Sequence, residues 1–199
     1  MEEGISLAFA MLVGFGHAFE ADHLLAVSTL VSRSKSTREV ANSGFIWGLG
    51  HTSTIFFIGL LFIVFNVQQL KLYFDYFEIL VGGMLILLGI YRIIKLNSRS
   101  QDAAHHHERE AYSIGLIHGL AGSGGLILLV LTDLASSQEA LAYLALFGIG
   151  SAIGMSVAAS LLRLPVMGGK GDQLRKKIFT WLSSLLCVGY GIFILIRFI

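Results

Sequence analysis

The chain has 199 residues, 55% of them hydrophobic and 14% charged, and its 14 basic and 13 acidic side chains leave a net charge of +1. A soluble core of this length cannot hide so much apolar surface, whereas a bilayer rewards it, and the mean hydropathy of +0.75 agrees. Soluble, disordered and nucleic-acid-binding classes are excluded, the last because a near-zero charge supplies no basic footprint.

A window long enough to cross hydrocarbon finds six spans, near Ile5–Val31, Ala41–Phe65, Phe74–Leu96, Ser113–Leu134, Ala140–Leu162 and Lys177–Phe198. The expected fold is therefore all-α, a polytopic membrane protein of six transmembrane helices in a single domain over 1–199. The start, Met1-Glu2-Glu3, lacks the basic segment of a signal peptide, so the first span is expected to persist. Cys187 lies in the apolar sixth span with no partner in the chain and reads as a packed thiol, which removes disulfide and thiol redox chemistry.

Loop charge sets the orientation. Arg33, Lys35 and Arg38 follow the first span, Arg92, Lys95, Arg99 and Arg109 the third, and Arg163, Lys170, Arg175, Lys176 and Lys177 the fifth. Only Lys71 and Arg197 fall on the other side, so the positive-inside rule places three basic loops in the cytoplasm and both termini outside. The halves also look alike. Gly14-Phe15-Gly16-His17-Ala18 matches Gly115-Leu116-Ile117-His118-Gly119, and Gly48-Leu49-Gly50 matches Gly148-Ile149-Gly150. Two repeats are expected, 4–97 and 113–199, joined by a polar His-containing cytoplasmic loop over 98–112. An odd number of spans per repeat makes the second copy inverted, which is a transporter architecture.

Four histidines lie inside spans: His17 and His23 in the first, His51 in the second and His118 in the fourth, with Glu20 and Asp22 beside the first two. A charge at bilayer depth costs roughly 2.5–3.5 kcal/mol even on the most lenient scale, and packing gives no reason to bear it. On a regular helix His17, Glu20 and His23 share a stripe while Asp22 points about 140° away from His17. Either Asp22 orients an imidazole on a neighbouring helix, or the segment after Gly14 and Gly16 is unwound and the side chains converge. Imidazole plus carboxylate suits nickel, cobalt and zinc, and the lack of thiolate argues against a soft-metal site. The alternative is a buried cluster of hydrogen-bonded polar groups; four imidazoles with two acids weigh toward metal or proton handling. His105-His106-His107, in the polar loop, is the pattern of a solvated segment with weak affinity for metal.

The first span's His17-x-x-x-x-Asp22-His23 resembles the signature helix of the nickel/cobalt transporter family, NiCoT. Phe45-Ile46-Trp47-Gly48-Leu49-Gly50-His51-Thr52-Ser53 resembles that family's Gly-His-Ser-Thr segment, with Thr52-Ser53 in reversed order. His118-Gly119-Leu120-Ala121-Gly122-Ser123-Gly124 is similar to the corresponding stretch of the short six-span branch, which includes urease-accessory nickel permeases. The resemblance implies that His17, Asp22 and His23 recognise metal, that His51 is a further ligand or selectivity residue, and that Glu20 stands where the family often has Asp. The repeat match adds His118.

The expected function is a cell-membrane permease, not an enzyme, for nickel or cobalt, with zinc as a further candidate ion. The expected metal residues are His17, Glu20, Asp22, His23, His51 and His118. No cofactor is expected; the partners are the divalent ion and the bilayer, with no nucleic acid. An inside-negative potential gives an inward dication roughly 4.6 kcal/mol per 100 mV, and no Walker motif is present to supply a nucleotide motor. Efflux is the main alternative. An intramembrane zinc hydrolase is weaker, since no His-Glu-x-x-His pair occurs.

Overall fold

A computed structural model describes residues 2–31, 36–65, 74–96, 104–120, 136–166 and 172–198, and among these every regular element is helical. In chain order they are α1 (Glu2–His17), α2 (Ala21–Val31), α3 (Thr37–Phe65), α4 (Phe74–Lys95), α5 (Ala104–His118), α6 (Ser137–Arg163) with a 3-10 turn over Leu164–Val166, and α7 (Asp172–Ile196). Local chemistry fixes where the two longest begin. Ser36 Oγ accepts the Glu39 backbone N–H at 3.1 Å, and Ser136 Oγ accepts that of Glu139 at 3.2 Å. Each serine satisfies one orphan donor of the first turn, a contribution of about 1 kcal/mol.

Helices α3, α4, α6 and α7 are long and apolar enough to cross a bilayer, in good register with four of the expected spans. Their outer faces carry bare aliphatic groups: Leu87 is 70% and Ile94 72% exposed, and Leu182, Leu185 and Leu186 are exposed along α7. Water would penalise such a surface and lipid does not, so the chain is a membrane protein. Cys187 is fully buried, as expected of a packed thiol.

The other two expected spans look different. The first is broken: α1 ends at His17, residues 18–20 leave the helix, and α2 restarts at Ala21. Of the fourth, only the start is described. α5 reaches His118, while residues 121–135, with Gly122-Ser123-Gly124-Gly125 and Asp133, lie outside the described residues. α5 also begins at Ala104, inside the 98–112 segment expected to be a loop. Ala104, Glu108, Arg109 and Ala111 are good helix formers, so one helix runs from polar into apolar sequence. Asn42 Nδ2 donates to Glu108 Oε1 at 3.1 Å and ties that helix to α3. The His105, His106 and His107 side chains lie outside the described residues.

Glycine sets how close the helices come. α3 crosses α6 antiparallel, with Gly48 on Ala152 and Gly148 on Thr52, whose Oγ1 donates to the Gly148 carbonyl at 3.0 Å. α1 lies parallel to α6, its Met11 and Phe15 carbonyls against Gly150 and Gly154. α5 lies parallel to α3 in the same manner, Gly115 and Gly119 facing the Trp47 and His51 carbonyls. α4 and α7 pair antiparallel through Gly82 and Gly191, and α2 packs on α6, α7 and α4. At Gly48, Gly115, Gly119, Gly150, Gly154 and Gly191 a Cβ would strike main chain, which cannot rotate away as a side chain can, and at Gly148 it would strike the Thr52 side chain.

Gly115→Val is therefore expected to destabilise the fold by about 1–3 kcal/mol or more. Gly83→Ala, where a Cβ meets open space inside α4, should be neutral or stabilising. Thermal unfolding in detergent compares the two; equal midpoints would mean that the seam is not tightly packed.

Candidate metal centre

The break in the first span builds the centre. Phe19 N–H donates to the Gly16 carbonyl at 3.0 Å and Glu20 N–H to that of His17 at 3.1 Å, so α1 tightens and stops. Leu24 N–H then donates to the Glu20 carbonyl at 2.9 Å and starts α2. The turn swings Glu20, Asp22 and His23 back toward His17. Of the two routes left open by the sequence, both operate: the segment is unwound, and Asp22 orients imidazoles.

His17, His23, His51 and His118 are all buried, and their rings touch. His23 is the middle one, with ring centroids 4.4 Å from His17, 5.0 Å from His51 and 4.3 Å from His118. Two carboxylates fix how these rings face. His17 Nδ1–H donates to Glu20 Oε1 at 2.8 Å. Asp22 Oδ1 accepts from both the backbone N–H and Nδ1–H of His23, each at 2.9 Å, and Asp22 Oδ2 accepts His118 Nε2–H at 3.1 Å. A carboxylate only accepts, so each bonded ring nitrogen carries the proton and the opposite nitrogen keeps a lone pair. Those opposite nitrogens, His17 Nε2, His23 Nε2 and His118 Nδ1, are buried without a hydrogen-bond partner, and so are both nitrogens of His51.

Buried polar atoms left unsatisfied cost about 1–3 kcal/mol each, so a cluster of them needs a reason beyond packing. The donor atoms suit a dication. Those of His17, His23 and His51 lie within 4.8 Å of one another, as do those of Asp22, His23 and His118. A carboxylate behind a ligating imidazole is the usual way to fix its tautomer and raise its basicity. All six residues singled out in the sequence are in one place, though not in equal positions. Glu20 sits at the edge, its side chain 46% exposed, whereas Asp22 is 15% exposed between two rings.

In the sequence Trp47 stands out only as part of the Trp47-Gly48-Leu49-Gly50-His51 segment. Its fully buried indole packs against His23 and His118, with centroids 5.5 Å from each, and Phe147 packs on His17 at the same distance. The spacing of 100 between Trp47 and Phe147, equal to that of Gly48 and Gly148, was a usable signal.

No protein-family model and no solved structure matches this chain. Among curated proteins it is 33% identical over 174 residues to the urease accessory protein UreH of Bacillus sp. (strain TB-90), an alignment covering 80% of this chain and 76% of UreH. The chain belongs to the UreH family. It is also 26% identical over 203 residues to the chloroplast protein FOR GROWTH AND FERTILITY 1 of Arabidopsis thaliana. Its identity to FOR GROWTH AND FERTILITY 2 of the same plant is 24% over 197 residues. These two alignments cover 88% of this chain but only 54% and 51% of the plant proteins, so the chain spans about half their length. The UreH match agrees with the resemblance carried by the first, second and fourth spans.

His51 carries two unpaired buried nitrogens, so its replacement by an apolar side chain should help the metal-free fold. His51→Leu is expected to raise the thermal midpoint of metal-free protein in detergent, by the equivalent of about 1 kcal/mol or more. A fall would assign the imidazole a structural role.

Proposed function

We propose that this UreH-family protein is a cell-membrane permease that takes up nickel or cobalt through the His17–His23–His51 cluster, with Asp22, Glu20 and His118 supporting it. The observation that carries this reading is the set of buried imidazole nitrogens without partners among apolar helices. Neutral imidazoles replace the water that a dication sheds, and the two nearby carboxylates offset its charge where the dielectric is low. Such nitrogen and oxygen donors suit nickel and cobalt, and zinc next, far better than magnesium or calcium. The membrane potential is the driving force for entry.

The same reading takes the chain as six spans in two inverted halves with both termini outside. Three observations support the inverted halves, and the placement of the termini rests on loop charge. α3 and α6 are antiparallel, they open on serine caps 100 residues apart, and the Gly115 to Trp47 contact has its counterpart in Gly14 against the Phe147 carbonyl.

Proteoliposomes with an inside-negative potential are expected to accumulate Ni2+ or Co2+ but not Mg2+ or Ca2+. His23→Ala and His51→Ala should each lower uptake by about tenfold or more. Undiminished uptake in both folded variants would remove the cluster from the pathway.

Orientation has its own check. In a Cys187→Ser background, Thr37→Cys should react with an impermeant thiol reagent only from the cytoplasm and Ser137→Cys only from outside. Labelling of both from one side would reject the inverted arrangement.

A further inference from the structure

The imidazoles are walled on two sides. His51 and Ser151 hold matched positions on α3 and α6, and one turn before each stands an aromatic residue, Trp47 and Phe147. Because the two helices run antiparallel, one turn back along α3 and one turn back along α6 fall on opposite sides of the centre. The rings follow this placement. Phe147 packs on His17 with centroids 5.5 Å apart, and Trp47 packs on His23 and His118 at the same distance. Both aromatic side chains are fully buried.

The rest of the apolar interior divides in the same way, into two separate clusters. On α3 the first cluster has Val40 and Trp47 and the second Ile55 and Phe62, with His51 between them. On α6 the second has Leu144 and Phe147 and the first Met155 and Ala159, with Ser151 between them. Each aromatic is also mounted beside the imidazole that it covers. The Phe147 carbonyl meets Gly14, three residues before His17, and the Trp47 carbonyl meets Gly115, three residues before His118.

A dication keeping any of its water cannot cross a packed apolar layer, which has no polar group to replace that water. With such a layer on each side, the four buried imidazoles are closed off in both directions. We infer that Phe147 and Trp47 are the two gates of the centre, Phe147 toward the outside and Trp47 toward the cytoplasm in the orientation proposed above, and that this structure is the state with both closed. The cargo and its direction rest on the permease reading, whereas the gates rest on the packing. A carrier opens one layer at a time, since opening both would let ions run down the membrane potential.

A thiol placed between the layers tests this without any metal. Neither ring nitrogen of His51 has a hydrogen-bond partner, so in a Cys187→Ser background His51→Cys introduces the probe without breaking a bond. A membrane-impermeant cationic methanethiosulfonate is applied to intact cells for the outer face and to inverted vesicles for the inner. With both aromatics present the thiol should react slowly from either face. Adding Phe147→Ala should speed modification from outside by about tenfold or more and leave the cytoplasmic rate unchanged, and adding Trp47→Ala should do the reverse. Valine replaces alanine at either position if the smaller residue prevents folding. Phe147→Leu and Trp47→Phe, which keep the apolar bulk, should restore most of the protection. The same pattern with the faces exchanged would uphold the gates and reverse the orientation. An equal rise from both faces in either variant, or no rise in either, would overturn the gates. Failure of the unaltered protein to take up Co2+ in proteoliposomes would instead overturn the permease reading and leave the thiol result intact.

Discussion

A straight helix presents one stripe of side chains to any given point, and a metal ion needs donors from several directions. The interruption at residues 18–20 is what brings the candidate donors of the first span together, and the candidate centre depends on it. With α1 stopped at His17 and α2 restarted at Ala21, residues three to six positions apart meet around a common volume instead of fanning out. Irregular backbone at membrane depth is tolerated only inside protein or along a water-filled cavity. Here Ala18 is fully buried, and the polar groups of the break are turned on one another through two tight turns.

The two halves of the chain then become chemically interdependent. α5 ends at His118 as α1 ends at His17, with Leu120 N–H to the Ile117 carbonyl at 3.2 Å mirroring Phe19 N–H to that of Gly16. Yet the acid that holds His118 is Asp22, from the other half. Where the first half has His51, the matched position of the second is Ser151, whose Oγ donates to the Gly14 carbonyl and so fastens α1 to α6. One member of the pair supplies a donor for the centre and the other a clamp for the scaffold.

Much of this was legible in the sequence, because the bilayer permits few solutions. The bounds of α3, α4, α6 and α7 follow from apolar length, and the polar side chains that break the pattern mark the centre. The division of labour among them was not legible. Asp22 and Glu20 look alike as acids in an apolar run, and only three-dimensional proximity separates a carboxylate between two rings from one at the rim. Nor does composition give the start of α5, since a polar stretch of helix formers reads equally as a loop until Asn42 and α3 are there to receive it. Trp47 escaped for a related reason: an aromatic beside glycines is ordinary in a membrane helix, and its contacts with His23 and His118 come from the fold.

That indole gives the protein a built-in optical gauge. The chain has only two tryptophans. Trp47 stands 5.5 Å from two of the imidazoles, whereas Trp181 is 41% exposed on α7 among exposed leucines. Under the proposed function an open-shell ion bound among those imidazoles would lie within contact range of Trp47 and leave Trp181 as an internal reference, so the proposed occupancy can be followed by fluorescence without any added label.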